Sequence, residues 1–279
     1  MIKVANINKS FGAQTILKDI SFEVSEGESV AIIGRSGTGK SVLIKHLVGL
    51  LHPDAGGVFI ESENLVGTSE RQLLKIRQKF GMLFQEAALF DSMDVFENIA
   101  FPLRRKGLTD AKEINQRVEE VLGLVELSGT GEKMPSELSG GMKKRVGLAR
   151  AIVHRPKIIL YDEPTTGLDP VVSDSIDQLM MRVRDRYHVT SIVITHDMRC
   201  ARRMGQRIIY LVDGQVYLDA PANEVFNSDD LVVSRFIKGQ SEFCVESDEK
   251  EKKTKCPECG YESDEEEKNT KCSECGYER

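Results

Sequence analysis

Short apolar runs alternate with amphipathic stretches along much of the chain. Aliphatic runs at residues 29–33, 157–161 and 191–195 have the length of buried strands. Residues 42–48, after the first run, read as a helix. Between the other two runs, apolar residues recur at helical spacing: Val172, Ile176, Leu179, Met180 and Val183. We interpret this stripe as core. Strand, helix and strand in this order predict a parallel sheet and an α/β fold.

Two other regions have different patterns. Alternating apolar and polar residues at positions 2–24 predict an antiparallel sheet that leads into the first core strand. Residues from about 86 to 153 read as mostly helical. The clearest helix there has one apolar face, formed by Ile114, Val118, Val121, Leu122 and Val125. We therefore expect an N-terminal β-subdomain and a helical subdomain beside the α/β core.

A glycine-rich turn joins the first core strand to its helix. It has a glycine, four residues, then glycine, lysine and serine, and consists of Gly34, Arg35, Ser36, Gly37, Thr38, Gly39, Lys40 and Ser41. Such glycines let backbone N–H groups converge on phosphate oxygens, and the helix start adds positive potential. We expect Lys40 to reach the β- and γ-phosphates of a nucleotide and Ser41 to ligate Mg²⁺. A glycine-rich turn without a ligand is the alternative.

Two carboxylates, Asp162 and Glu163, follow the second apolar run. Ligands of open α/β sheets bind at the carboxyl ends of the strands. Asp162 fits a Mg²⁺ ligand, and Glu163 fits the base that polarises an attacking water. A solvated acidic turn is the alternative, which the nearby glycine-rich turn makes weaker. Together the two motifs predict hydrolysis of a nucleoside triphosphate.

Residues 138–145 open another helix, and Ser139 alone would read as an ordinary N-cap. With the glycine-rich turn, the Asp162–Glu163 pair and His196, however, this stretch resembles an ABC-type ATPase subunit. The resemblance covers about residues 1–240. It implies a P-loop NTPase (RecA-like) core, and it makes Ser139, Gly140 and Gly141 the signature motif that clamps the γ-phosphate held by a second copy. Two chains would then sandwich two ATP molecules, head to tail.

The same resemblance implies four further roles. Gln85 would touch Mg²⁺ and the membrane partner, Asp169 would lie in a D-loop that faces the second subunit, His196 would contact the γ-phosphate, and Phe11 would stack on adenine. Three of these residues also have a plainer interpretation. Gln85 could be a surface residue, His196 a structural strand-end histidine, and Phe11 a core aromatic of the N-terminal sheet.

Three stretches narrow the resemblance within the family. Residues 135–146, with Met142 where many members carry glutamine, and residues 83–93 and 195–198 resemble the ATPases of MCE-type lipid transporters, the maintenance-of-lipid-asymmetry (Mla) kind. This implies phospholipid transport with a separate membrane permease, an MCE-domain substrate-binding protein and a small STAS-type subunit. The ATPases of amino-acid importers share most of these sequence motifs. A soluble ABC ATPase in assembly or nucleic-acid work is the alternative from another class.

An apolar stretch, residues 86–101, follows Gln85. The family resemblance implies that the surface after this glutamine receives a short helix of the permease. We therefore expect some of these side chains, Phe90 and Met93 first, to line a hydrophobic cleft. The alternative is that they only fill the core of the helical subdomain.

Charge and hydropathy add constraints. Residues 241–279 hold seven of the 38 basic and 13 of the 44 acidic residues, so residues 1–240 carry 31 of each. A neutral body argues against a nucleic-acid partner. No apolar run approaches the roughly 20 residues that cross a bilayer, and the N-terminus lacks a signal-peptide core. We expect a cytoplasmic protein, peripheral on the cytoplasmic face of the inner membrane.

The C-terminal sequence forms a different kind of module. Residues 241–253 read as an acidic linker, and residues 254–279 contain a repeat with two Cys-x-x-Cys pairs, Cys256, Cys259, Cys272 and Cys275. Twelve residues separate the pairs, a spacing that suits a zinc-knuckle site with tetrahedral Cys₄ coordination of Zn²⁺. A rubredoxin-like iron site and disulfides are the alternatives. Cys200 and Cys244 lie outside the pattern, and we expect Cys200 to be packed.

Overall fold

A computed structural model describes residues 1–240 and two short strands beyond them, Thr254–Lys255 and Glu262–Ser263. Contacts divide the chain into two compact units, Met1–Asn227 and Ser228–Arg279. The predicted acidic linker, Cys244 and the four cysteines of the predicted zinc site lie outside the described residues.

Ten strands belong to the first unit. They are β1 (Ile2–Phe11), β2 (Gln14–Val24), β3 (Ser29–Gly34), β4 (Ala55–Ile60), β5 (Glu63–Asn64), β6 (Phe80–Leu83), β7 (Ile158–Asp162), β8 (Thr190–Ile194), β9 (Arg207–Val212) and β10 (Gln215–Pro221). One sheet has the order β10-β9-β3-β8-β7-β6, in which every neighbouring pair is parallel except the antiparallel β9–β10 pair. The predicted parallel core sheet is confirmed.

The second sheet is antiparallel and has the order β2-β1-β4-β5. Strands β1 and β2 form the N-terminal hairpin that the alternation at residues 2–24 predicts, since Ile2 pairs with Val24 and Phe11 with Gln14. Strand β4 adds to the other edge of β1. The N-terminal β-subdomain is therefore built partly from residues that follow the glycine-rich turn.

The first unit has eight α-helices. They are α1 (Lys40–Leu47), α2 (Glu70–Arg77), α3 (Val95–Arg105), α4 (Ala111–Leu124), α5 (Gly140–Ile152), α6 (Pro170–Tyr187), α7 (Met198–Met204) and α8 (Ala222–Phe226). A 3₁₀ turn at Pro135–Glu137 precedes α5. Helices α3, α4 and α5 pack on one another and form the helical region that the sequence predicts. The second unit contains α9 (Leu231–Lys238) and the antiparallel pair β11 (Thr254–Lys255) and β12 (Glu262–Ser263).

The core consists of two apolar clusters. Successive residues of β7 belong to different clusters, because successive side chains of a strand point to opposite faces of the sheet. Ile159 and Tyr161 belong to the cluster that includes α5 and α6, whereas Ile158 and Leu160 belong to the cluster that includes α1 and the N-terminal sheet. Met180 and Cys200 are buried in the first cluster, so both are packed as expected.

The carboxyl ends of the central strands lie level with one another. Ile194 of β8 pairs with Ile32 of β3 on one side and with Asp162 of β7 on the other. The residues that follow these three strands therefore come to the same edge of the sheet. Across the described residues, no helix is long and apolar enough to cross a membrane.

Candidate functional site

The glycine-rich turn after β3 is a compact loop closed by Thr38. The Thr38 hydroxyl donates to the carbonyl of Arg35 at 2.8 Å. Gly39 is the N-cap of α1, with φ 95°, and a Cβ there would lie 2.6 Å from the Leu17 side chain. Only glycine fits this left-handed, crowded position. The helix therefore begins at Lys40, with its free N–H groups facing the loop.

Lys40 is buried within this loop. Its ammonium donates to the carbonyls of Gly34 at 2.6 Å and Arg35 at 2.9 Å. Burial lowers the pKa of Lys40, and the nearby carboxylates of Glu163 and Asp162 oppose that shift. The strand ends thus bring the lysine of one motif into electrostatic contact with the acidic pair of the other.

Asp162 ends β7, and its Oδ1 atom is buried without a hydrogen-bond partner among the described residues. Burial, and then the charge of Glu163, raise the pKa of Asp162, while Lys144 and Lys40 oppose them. A buried carboxylate oxygen with an unused lone pair is costly unless a ligand satisfies it. A divalent cation bound by oxygen ligands is such a ligand, so Asp162 fits Mg²⁺.

Glu163 has a left-handed backbone, with φ 48°. Its N–H donates to the carbonyl of Ile194 at 2.8 Å, which joins the ends of β7 and β8. Its Oε2 lies 2.8 Å from His196 Nδ1 and accepts a bond from the Thr166 hydroxyl at 3.0 Å. The structure therefore brings the predicted base and the predicted histidine into direct contact.

The contacts of two cations of α5, the buried Lys144 and the partly buried Arg150, were not recognised from the sequence. The Lys144 ammonium lies 3.3 Å from the carbonyl of Glu163. The Arg150 guanidinium donates to the carbonyls of Ala87 at 2.6 Å and Ala88 at 2.7 Å. Burial lowers the pKa of both side chains. A helical projection carries a signal for Lys144, because it lies four residues before the buried Leu148.

The loop after β6 carries Gln85. Strand β6 pairs with β7 so that Leu83 faces Tyr161, which places Gln85 at the same sheet edge as Glu163. The Gln85 side chain is exposed. Ala87 and Ala88 both have left-handed backbones, with φ 58° and 49°, and Arg150 binds their carbonyls. Arg150 thus fixes the path of this loop from α5.

A family model described as "ABC transporter" matches residues 17–166. The chain belongs to the ABC transporter family. It is an ATP-binding subunit of an ABC transporter, an ATPase that uses ATP and Mg²⁺ and couples hydrolysis to transport.

Relatives differ in the cargo that their names give. The "Probable ribonucleotide transport ATP-binding protein mkl" of Mycobacterium leprae is 40% identical, over 92% of this chain and 74% of its own. "Methionine import ATP-binding protein MetN" of Legionella pneumophila is 38% identical, over 86% and 70%. "Protein TRIGALACTOSYLDIACYLGLYCEROL 3, chloroplastic" of Arabidopsis thaliana is 37% identical, over 86% and 74%.

Among solved structures, the dimeric post-hydrolysis state of the cassette MJ0796, bound to ADP and Pi, superposes with a TM-score of 0.74. It is 36% identical and covers 80% of this chain and 99% of its own. This likeness agrees with the P-loop ABC ATPase fold.

The predicted signature segment, residues 138–145, contains the start of α5. The Ser139 hydroxyl accepts from the N–H of Met142 at 3.3 Å, so Ser139 is also the N-cap that the plainer interpretation predicts. A Cβ on Gly140 would lie 3.5 Å from Leu168, and one on Gly141 would lie 2.6 Å from Val172. The predicted signature segment therefore packs beside Leu168, in the predicted D-loop, and beside Val172, at the start of α6.

Two further predicted site residues are exposed. Asp169 is the N-cap of α6, and its Oδ1 accepts from the N–H groups of Val171 and Val172, each at 3.0 Å. Phe11, at the end of β1, is 49% exposed, so it is not the core aromatic of the plainer interpretation. The Lys9 ammonium lies 5.5 Å from the centre of its ring.

An apolar groove of about 560 Å³ lies between the core sheet and the helical region. Phe84, Phe90 and Phe101 line it, and the rings of Phe90 and Phe101 are 4.9 Å apart. Phe90 is 42% exposed. Met93, which we expected there as well, is half-buried and does not line the groove. Of the other apolar residues at positions 86–101, Ala88 and Phe101 line the groove. Ala87, Val95 and Ile99 are instead buried in the core.

Proposed function

We propose that this chain is the ATP-hydrolysing subunit of a phospholipid transporter of the MCE/Mla type, working with a separate membrane permease. The observation that carries the hydrolytic part is the convergence of Lys40, Asp162, Glu163 and His196 at one edge of the sheet. Two observations support a lipid cargo. The sequence of residues 135–146 resembles that of MCE-type ATPases, and the name of one relative refers to a galactolipid.

Each element of the nucleotide site has a role in this proposal. Residues 34–41 bind the phosphates, with Lys40 on the β- and γ-phosphates, and Phe11 stacks on adenine. Asp162, Ser41 and Gln85 hold Mg²⁺, which neutralises charge on the phosphate oxygens. The orphaned Oδ1 of Asp162 supports this assignment.

Glu163 acts as the general base in this proposal, and His196 contacts the γ-phosphate. Glu163 Oε2, on which His196 and Thr166 converge, is an acceptor held in a fixed position. A positioned acceptor of this kind can take the proton of an attacking water.

Two copies assemble head to tail around two ATP molecules. Ser139, Gly140 and Gly141 of one copy face the γ-phosphate at the P-loop of the other, with the Asp169 segment between them. The exposed N-terminus of α5 supports this, because free backbone N–H groups at a helix start bind anions. The dimeric form of MJ0796 supports the stoichiometry.

The groove beside Phe90 receives the permease. The groove is also lined by four cationic side chains: Arg77, Arg105, Lys106 and Arg150. No acidic residue is among its described lining residues. An amphipathic helix with apolar residues on one face and acidic residues at its margin complements this surface. Docking there holds the subunit on the cytoplasmic face of the membrane. An MCE-domain protein and a STAS-type subunit complete the proposed complex.

Reconstitution of the complex tests the cargo. The tagged subunit is purified from its host in detergent with the proteins it retains, and ATP turnover is measured in liposomes with added phospholipid, methionine or ribonucleotides. The proposal expects stimulation by phospholipid, and phospholipid recovered from the complex by extraction. A matched complex carrying Glu163→Gln controls for other ATPases. Stimulation by methionine or a ribonucleotide alone would replace the lipid assignment with the cargo of that relative's name.

A further inference from the structure

Lys144 is a lysine in an apolar setting. It lies on the buried face of α5, is 5% exposed and is followed on that face by Leu148, Ala151 and Ile152. Its nearby charges are all carboxylates: Glu86, Asp162 and Glu163. A buried ammonium is expensive unless specific partners bind it, so an aliphatic residue would suit packing better.

The partner that Lys144 reaches by hydrogen bonding is the main chain of Glu163. Its ammonium lies 3.3 Å from the Glu163 carbonyl, which also accepts from the N–H of Thr166 at 3.3 Å. The backbone N–H of Glu163 donates to the carbonyl of Ile194. These bonds hold a left-handed residue, a conformation that L-amino acids adopt only when their surroundings enforce it. The backbone orientation in turn sets where the Glu163 carboxylate points.

We propose that Lys144 is a positioning residue for Glu163, which ties the signature helix to the catalytic carboxylate of the same chain. This inference rests on the proposed role of Glu163 as general base. Lys144 lies five residues after Ser139 on one helix. A displacement of the helix start, where the second copy's nucleotide binds, is therefore carried to Glu163 through a rigid element.

Single and double substitutions test the proposal on the full chain. Lys144→Met removes the ammonium and keeps most of the side-chain volume, Lys144→Arg keeps the charge, and Lys144→Gln keeps only a neutral donor. Exposed Lys112, in the first turn of α4, gives the matched control Lys112→Met. ATP turnover is measured as kcat and KM, with nucleotide affinity and thermal unfolding measured alongside.

Lys144→Met is expected to lower kcat about 10- to 100-fold, the size of effect that a small misplacement of a catalytic group produces, with KM and nucleotide affinity unchanged. Lys144→Arg is expected to retain more turnover than Lys144→Gln. In a Glu163→Gln background, Lys144→Met is expected to lower kcat less than about twofold further, because effects through one group are not additive. Lys112→Met is expected to behave as the parent.

Several results would overturn the proposal. These are an unchanged kcat in Lys144→Met, a raised KM, or an equal loss of kcat in both backgrounds. If Lys144→Met does not fold, the Arg and Gln variants decide, and equal turnover of the two rejects the proposal. Near-normal turnover of Glu163→Gln by itself would instead reject the role of Glu163, so the two failures are distinguishable.

Discussion

His196 lies against Glu163, with its Nδ1 atom 2.8 Å from Glu163 Oε2. The backbone N–H of His196 points to the same oxygen at 3.4 Å. Histidine and glutamate follow neighbouring parallel strands, β8 and β7, so the contact joins two adjacent strand ends. One carboxylate oxygen is thus held in place from two sides, and the position of the Glu163 side chain depends on both strands.

Substitution Glu163→Gln tests the role of this carboxylate. The amide keeps the shape of the side chain but cannot take a proton, so turnover is expected to fall roughly 10²-fold or more. ATP binding is expected to persist, and with it a nucleotide-stabilised dimer that gel filtration detects. Near-normal turnover in the variant would assign the base to another group.

Phe90→Asp tests the docking groove. Because Phe90 is partly exposed and its ring lies near the Arg150 guanidinium, the chain is expected to tolerate a carboxylate there. Its Tm is expected to change by less than about 4 °C, which corresponds to about 1 kcal/mol. ATP binding remains, whereas copurification with the permease is lost.

Leu50→Asp is the matched control, because Leu50 is exposed and apolar but does not line the groove. It is expected to keep the permease. A sharp fall in Tm for Phe90→Asp, together with loss of nucleotide binding, would instead make Phe90 a core residue.

Asp177 gives the chain a pH-dependent stability. This side chain, on α6, is 2% exposed, and burial raises its pKa from 3.8 to about 6, although a hydrogen bond with Cys200 opposes the shift. The folded state therefore binds a proton that the unfolded state has already lost between these values. We therefore expect the free energy of unfolding to fall as pH rises through this window, by about 3 kcal/mol in total.

Asp177→Asn has no carboxyl group to ionise, so its free energy of unfolding does not fall in this window. We expect the variant to be more stable than the parent at pH 8 and about equal to it near pH 4. Urea unfolding at several pH values measures this difference. Asp174→Asn is the control of opposite sign, because Arg203 lowers the pKa of the half-buried Asp174. Equal pH profiles for the parent and Asp177→Asn would contradict the assignment.

The C-terminal cysteine pairs remain a prediction. One Zn²⁺ per chain is expected through Cys256, Cys259, Cys272 and Cys275, measured by elemental analysis of protein purified without chelator. Truncation after Gln240 is expected to leave ATP turnover largely unchanged. Iron or no metal would contradict the first expectation, and an inactive but folded truncation would contradict the independence of the module.

The parts of the site that are local in sequence were predictable. The glycine-rich turn and the Asp162–Glu163 pair each follow an apolar run, and apolar periodicity identifies such strands without knowledge of the fold. Their meeting at one edge follows from parallel strand pairing. Helix α1 begins two residues before the predicted start, because Gly39 in its left-handed conformation ends the loop there.

The parts that depend on tertiary contacts were not predictable. Lys144 and Arg150 bind carbonyls of other segments, and a lysine or arginine within a helix gives no indication of such partners. The left-handed backbone of Glu163 has no local signal either, because glutamate rarely adopts it. The different placement of Phe90 and Met93 depends on how the chain packs against α3 and α5.

Arg150 belongs to two surfaces at once. Its guanidinium binds the carbonyls of Ala87 and Ala88 beside Gln85, and it also lies 5.9 Å from the centre of the Phe90 ring in the groove. If a permease docks on Phe90, the same Arg150 side chain contacts both the docking surface and the loop that carries Gln85. Linkage is then reciprocal: the factor by which docking alters ATP affinity is the factor by which ATP alters the affinity for the permease.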